Sequence, residues 1–263
     1  MLYYIRKYNL LTVNGMFNFF ATENSRQGDC FYIEGSDFNH IKNVLRMHEG
    51  DTLLVSENGK SHLCEITSLS GDVAVVKITE ADYQSTEIPV KIYLFQGLPK
   101  SDKMEFIIQK TVELGVFAII PTEMSRCVVK LEDKKKKSKV ERWQAISESG
   151  AKQSKRNIIP EIMPIMSYKQ ALEFAKTLDL ILVPYESKDG MKSTKDALSK
   201  IKDGMSIGIF IGPEGGFDEK EISLATENGG EIVSLGKRIL RTETAALTAV
   251  GMCMLYTEMK DVE

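Results

Sequence analysis

From Asp51 to Thr79 apolar and polar positions alternate in short runs: Thr52-Leu53-Leu54-Val55, Leu63-Cys64-Glu65-Ile66 and Val73-Ala74-Val75-Val76. Asn58-Gly59 and Ser70-Gly71-Asp72 separate the runs, and alternation between such turn residues predicts β-hairpins. Ala81 to Pro89 is polar, lacks an apolar period and ends in proline, which predicts a linker after a small β-rich domain starting near Met16. Beyond Pro89 apolar strands alternate with helical periods, the pattern of a parallel sheet covered by helices. The expected strands are Lys91 to Phe95, Val116 to Ile120, Leu180 to Val183, Ile207 to Ile211 and Ile232 to Leu235.

Helical stripes lie between them. Met104, Ile107, Ile108 and Val112 follow Ser101, and Val140, Trp143 and Ile146 form a second stripe after a lysine run expected as a loop, Lys134 to Lys137. Asp218 with Glu221 three positions on has the spacing of a capping box, and Asn228-Gly229-Gly230 supplies the stop. Glu243 to Met259 is apolar and rich in small residues, a face suited to burial or to packing against a second copy. The fold class is therefore α/β, with a small β domain over residues 16–85 and a larger domain over 86–263. Residues 1–15 read as an N-terminal extension, a start assigned upstream of Met16, or a vector remnant.

The chain has 263 residues, 43% hydrophobic and 27% charged, long enough for one large domain or two ordinary ones and with the composition expected of a folded soluble protein. Its longest apolar runs fall far short of the roughly 20 residues needed to cross a bilayer. Met1 to Gly15 has no signal-peptide cleavage pattern, so a cytoplasmic location without membrane contact is expected. Four scattered cysteines without CxxC spacing read as reduced thiols, and the three histidines lack a ligand pattern, so no metal site is expected. The formal net charge is -3, yet Gly97 to Pro160 holds fourteen Lys and Arg against eight Asp and Glu. That local excess of +6 fits a polyanion site, or equally a solvated helix face beside a lysine loop.

Two turns stand out. Ile207 to Ile211 runs into Gly212-Pro213-Glu214-Gly215-Gly216-Phe217 and then the capped helix. Ligands bind at such strand ends in open α/β sheets, and glycine lets backbone amides approach them. The phosphate-loop and dinucleotide fingerprints are both missing, so the local pattern leaves a ligand loop and a plain tight turn open. The second turn, Gly236 to Ala246, follows Ile232 to Leu235 and crowds Arg238, Arg241, Glu243 and Thr244 around Ile239 and Leu240. Thr242 also suits the N-cap of the last helix, with Glu243 favouring its dipole.

The segments IGPEGGF and SLGKRILRTETAA, with His40 to Arg46, Lys100 to Lys103, Glu113 to Gly115, Arg126-Cys127 and Gln153 to Arg156, resemble the SPOUT superfamily. More narrowly they resemble the ribosomal RNA small subunit methyltransferase E family, over about Met16 to Tyr256. The resemblance implies an α/β methyltransferase domain with a trefoil knot, a PUA-like β-barrel domain, a homodimer, and S-adenosyl-L-methionine as cofactor. The implied reaction is methylation of N3 of a uridine in 16S rRNA. Cofactor contacts are implied at Val183, Pro184, Tyr185 and Glu186, at Ile211, Gly212, Pro213, Gly215 and Gly216, and at Leu235, Gly236, Ile239, Leu240, Thr244 and Ala245. RNA contacts are implied at Arg46, Lys100, Lys103, Arg126, Gln153 and Arg156. Uracil N3 attacks as an anion, so the site must remove its proton or stabilise charge on the flanking carbonyls. Arg241 suits charge stabilisation, or a structural pair with Glu243 or Glu214; Glu214 suits a base, or loop geometry. A relative acting on tRNA or another rRNA nucleotide, and a non-catalytic RNA-binding assembly factor, are the competing readings.

Overall fold

The computed structural model describes residues 16–22, 24–186 and 190–262; the 1–15 extension lies outside the described residues. The chain forms two compact units. One contains the residues up to Glu87 together with Lys152–Ile158, and the other contains Ile88–Ala151 and the chain from Ile159 onward.

The first unit is a six-stranded sheet in the order β1-β4-β5-β6-β3-β2. Its strands are β1 (Asn18–Phe20), β2 (Arg26–Gln27), β3 (Cys30–Glu34), β4 (Thr52–Glu57), β5 (Lys60–Ser70) and β6 (Val73–Glu80). The expected hairpins are present: Asn58 and Gly59 both take positive φ, 50° and 79°, as a two-residue turn matched to strand twist requires. β1 pairs parallel to β4 and the other pairings are antiparallel. Phe19, Phe31, Ile41, Leu53, Ile66 and Val76 form its core. A short helix, α1 (Gly35–Asn39), leads into a π-turn over His40–Val44.

This unit is closed by residues far along the chain. Arg156, 3% exposed, forms an ion pair with Glu87, and Glu87 also accepts from the Asn157 amide at 2.8 Å. Asn18 Nδ2 donates to the Arg156 carbonyl at 2.9 Å. The expectation that Arg156 grips phosphate from the larger domain is therefore corrected: its guanidinium is buried in the first unit against a carboxylate.

The second unit is a parallel sheet in the order β10-β8-β7-β12-β11-β13, with β9 also on β8. The strands are β7 (Lys91–Gly97), β8 (Ala118–Glu123), β9 (Glu161–Ile162), β10 (Met166–Ser167), β11 (Leu180–Pro184), β12 (Ser206–Ile211) and β13 (Gly230–Val233). The helices are α2 (Lys103–Glu113), α3 (Asp133–Gln153), α4 (Tyr168–Ala175), α5 (Met191–Leu198), α6 (Glu219–Glu227) and α7 (Thr242–Glu258). Phe95 and Phe210 stack at 4.3 Å between centroids, locking β7 to β12 at the sheet's centre. Asp218 and Glu221 form the expected capping box of α6.

Two local expectations change. Lys134 to Lys137 are not a loop; they form the opening turns of α3. Thr242 is not an N-cap: Arg241, with extended backbone, takes that position without a side-chain cap bond, Thr242 is the first helical residue, and its hydroxyl bonds Gly212 O. Among the described residues, no helix is long and apolar enough to cross a membrane, and no His, Cys, Asp and Glu cluster could hold a metal. All four cysteines are free.

Candidate active site

The C-terminal ends of β11, β12 and β13 surround a cavity of about 660 Å³, lined by Pro184, Tyr185 and Glu186, by Ile211 to Phe217, and by Ser234 to Thr242 with Ala245. This is where an open parallel sheet presents backbone groups without a helix over them.

The first turn is tight. The Gly216 amide donates to Pro213 O at 2.9 Å, and Gly216 has φ 68°. A Cβ on Gly212 would lie 3.1 Å from the Gly216 carbonyl carbon. Gly97, at the end of β7, admits the turn: a Cβ there would stand 2.7 Å from the Pro213 backbone nitrogen. In the second turn Gly236 has φ 110°, a conformation that side-chain-bearing residues rarely adopt. The Thr194 hydroxyl on α5 donates to Ser234 O at 2.6 Å and fixes where this turn begins.

One hydroxyl joins the two turns. Thr242 Oγ1 donates to Gly212 O at 2.6 Å and accepts from Gln96 Nε2 at 2.9 Å. Gln96, fully buried, also donates to its neighbour Gly97's carbonyl at 2.9 Å. A carbonyl can only accept, so the orientation of this amide is set by its partners. Gln96 Oε1 is left buried with no hydrogen-bond partner among the described residues. The third segment is held by Tyr185, whose amide donates to Val233 O at 3.0 Å and whose ring meets Phe217 edge-on at 6.4 Å.

Lys103, on α2, reaches the same cavity. Its ammonium lies 3.1 Å from Glu214 and 3.4 Å from Glu243. The second contact is the longer ion pair, and Glu243 Oε2 is buried with no other partner among the described residues. The hydrogen bond to Glu214 comes first among the influences that raise the Lys103 pKa. Burial works to raise the Glu214 pKa, but its own amide, the Lys100 amide at 3.1 Å and Lys103 together outweigh burial and hold it below the ordinary carboxylate value.

The structure brings together around this cavity Pro184, Tyr185, Glu186, Ile211, Gly212, Pro213, Glu214, Gly215, Gly216, Leu235, Gly236, Ile239, Leu240, Arg241 and Ala245. Val183 and Thr244 are not in the lining. Val183 is fully buried in β11 facing Gly230, and Thr244 is exposed on the first turn of α7. Arg241 is exposed, and its guanidinium forms no ion pair with Glu214 or Glu243, which Lys103 occupies. Lys100 and Arg126 are exposed; Arg126 donates to Gly215 O at 3.1 Å. Arg46 and Gln153 are exposed, Arg46 with φ 54°. Sequence reasoning missed Gln96, Gly97, Thr194 and Ser234. The signal for the first two was a polar residue and a glycine ending an apolar run meant for a sheet interior.

A parallel sheet with glycine turns and a cavity at its strand ends, in one chain with a small β unit, is the arrangement of an α/β domain built to hold a ligand. Residues 86–254 match the RNA methyltransferase domain and residues 33–79 the RNA methyltransferase PUA domain. The ribosomal RNA small subunit methyltransferase E of Bacillus subtilis is 44% identical over 89% of this chain and 93% of its own length. A crystal structure of the Neisseria gonorrhoeae ribosomal RNA small subunit methyltransferase E bound to S-adenosyl methionine is 34% identical, with a TM-score of 0.77 over 91% of this chain and 97% of that one. A putative methyltransferase from Legionella pneumophila in complex with the same cofactor is 32% identical, with a TM-score of 0.75 over 91% and 97%. The chain belongs to the ribosomal RNA small subunit methyltransferase E family.

Proposed function

We propose that this protein transfers a methyl group from S-adenosyl-L-methionine to N3 of one uridine in small-subunit (16S) rRNA, acting in the cytoplasm as a homodimer with the knotted chain path that the family resemblance implies. The observation that carries the reading is the convergence of three segments on one cavity in a chain so similar to relatives solved with that cofactor. The residues fit such a guest: the volume lies within the roughly 300 to 1,000 Å³ usual for cofactor sites. Gly212, Gly215 and Gly216 open the backbone to polar edges, while Ile211, Leu235 and Leu240 offer apolar surface.

When bound, the cofactor would supply an electrophilic sulfonium methyl group, open to in-line attack by a nucleophile with the neutral thioether as leaving group. The chain's own part is orientation, and near-attack geometry contributes roughly 7 to 11 kcal/mol to such reactions. Arg241, exposed at the rim, stabilises the negative charge that spreads over the uracil carbonyl oxygens as the N3 proton leaves to water. Glu214 is a weak base because its pKa is lowered, and it serves as the clamp that seats Lys103 and the Lys100 amide beside the turn. Arg46, Lys100, Arg126 and Gln153 supply exposed contacts for RNA.

The test is nucleoside analysis of small-subunit rRNA from cells with and without the gene. Loss of one N3-methyluridine in the deletion, restored by the wild-type gene, is expected. Unchanged N3-methyluridine would sink the substrate assignment.

A further inference from the structure

We propose that the opening turns of α3 are an RNA-phosphate docking surface beyond the methylation cavity, engaging the strand that flanks the target nucleotide. This deepens the reading of the protein as an RNA methyltransferase and rests on it. Residues 130–139 hold six lysines and two carboxylates. The lysines occur where the positive end of the helix dipole opposes cations and favours Asp or Glu. A merely solvated helix opening gains nothing from that choice; a surface that meets a polyanion does.

The ion pairs leave most of this charge outward. Lys136 pairs with Glu123 at 2.9 Å, whereas Lys135 to Glu132 at 3.5 Å and Lys137 to Glu141 at 3.9 Å are looser contacts between largely exposed side chains. Lys130 and Lys134 are exposed, and they and Lys139 form no ion pair among the described residues.

The Lys136 contact also fixes where the surface lies. Glu123 ends β8, and three residues later Arg126 donates to Gly215 in the cavity's first turn. Three residues span at most about 11 Å. A nucleic-acid strand entering the cavity thus has Arg126 and then the lysine turns within a few nucleotides, and each phosphate neutralised adds about 0.7 to 0.9 to the salt slope of binding.

The experiment uses the full chain and a fluorescent small-subunit rRNA fragment, with affinity followed from low to moderate salt. The variant is Lys134→Gln/Lys135→Gln/Lys137→Gln/Lys139→Gln, because glutamine keeps helix propensity while removing charge. The expected result is at least a tenfold weaker RNA affinity at low salt and a salt slope smaller by about two to three units. Cofactor affinity by calorimetry should match the wild type, with a melting temperature equal or higher. A variant with wild-type affinity and slope overturns the proposal while leaving the methyltransferase reading intact. A wild type that binds no RNA overturns both, and one that prefers an acidic peptide to the fragment makes the surface a protein-docking site instead.

Discussion

Replacing Thr242 with valine removes one hydroxyl and almost no volume, so it isolates the bond that ties the two turns. Valine loses the 2.6 Å donation to Gly212 O and the 2.9 Å acceptance from Gln96 Nε2 at a position 5% exposed. A buried polar group left unpaired costs about 1 to 3 kcal/mol. Gln96 Nε2 keeps Gly97 O and the Gly212 carbonyl is partly reachable by water, so each loss belongs near the lower end. The sum is about 2 to 3 kcal/mol. Urea unfolding followed at Trp143, the single tryptophan, which is buried in the second unit, reads this loss there rather than in the first. If half of the loss appears as misplacement of the turns, cofactor affinity falls about tenfold. Thr242→Ser keeps the hydroxyl and should stay within about 1 kcal/mol of the wild type. A valine variant within about 0.5 kcal/mol of wild type, with unchanged cofactor affinity, would refute the claim that this hydroxyl holds the cavity together.

Other substitutions probe separate parts of the site. Gly97→Ala forces a methyl to 2.7 Å from the Pro213 nitrogen, so cofactor binding should weaken at least tenfold by calorimetry while the first unit keeps its fold. Gly215→Val meets Arg126 Cβ at 3.0 Å and should abolish measurable binding at micromolar cofactor. Arg241→Ala should lower kcat by about 100- to 1,000-fold with little change in cofactor affinity, a single-turnover measurement. Full turnover would remove it from the chemistry. Because the Glu214 pKa is lowered, its clamp is present above the unfolded carboxylate pKa and is lost only as pH falls through the lower folded value. Cofactor affinity should therefore stay flat from neutral pH into the ordinary carboxylate range and drop below it, and Glu214→Gln should lack that drop.

Much of the fold was legible because each element carried its period and its stop. The Asn58-Gly59 turn, the Met104 to Val112 stripe and the Asp218 capping box all follow from local chemistry. β9 and β10 were not legible: two residues are too short to show alternation, and their place comes from pairing with β8. The lysine run read as a loop for lack of apolar positions, yet α3 takes its packing from Trp143 and residues further along. The glycine turns alone left a ligand loop and a plain tight turn open, and nothing in them showed their mutual tie. Gln96 and Thr242 are 146 positions apart, and each alone suits a sheet interior or a helix start. Arg156 looked like a phosphate contact because a sequence shows charge but not Glu87 beside it.

The closure of the first unit by Lys152–Ile158 has a consequence for biosynthesis. Asn18 waits for the carbonyl of Arg156, and Glu87 for its guanidinium, so the first unit made cannot reach its final state when its own strands have emerged. At roughly 5 to 20 residues per second, several seconds of synthesis separate Glu87 from the segment that completes it. A nascent chain arrested before Ile158 should therefore show a protease-sensitive first unit, and one extended past it a resistant one. A fragment cut at the linker would lack the piece that seals its own sheet.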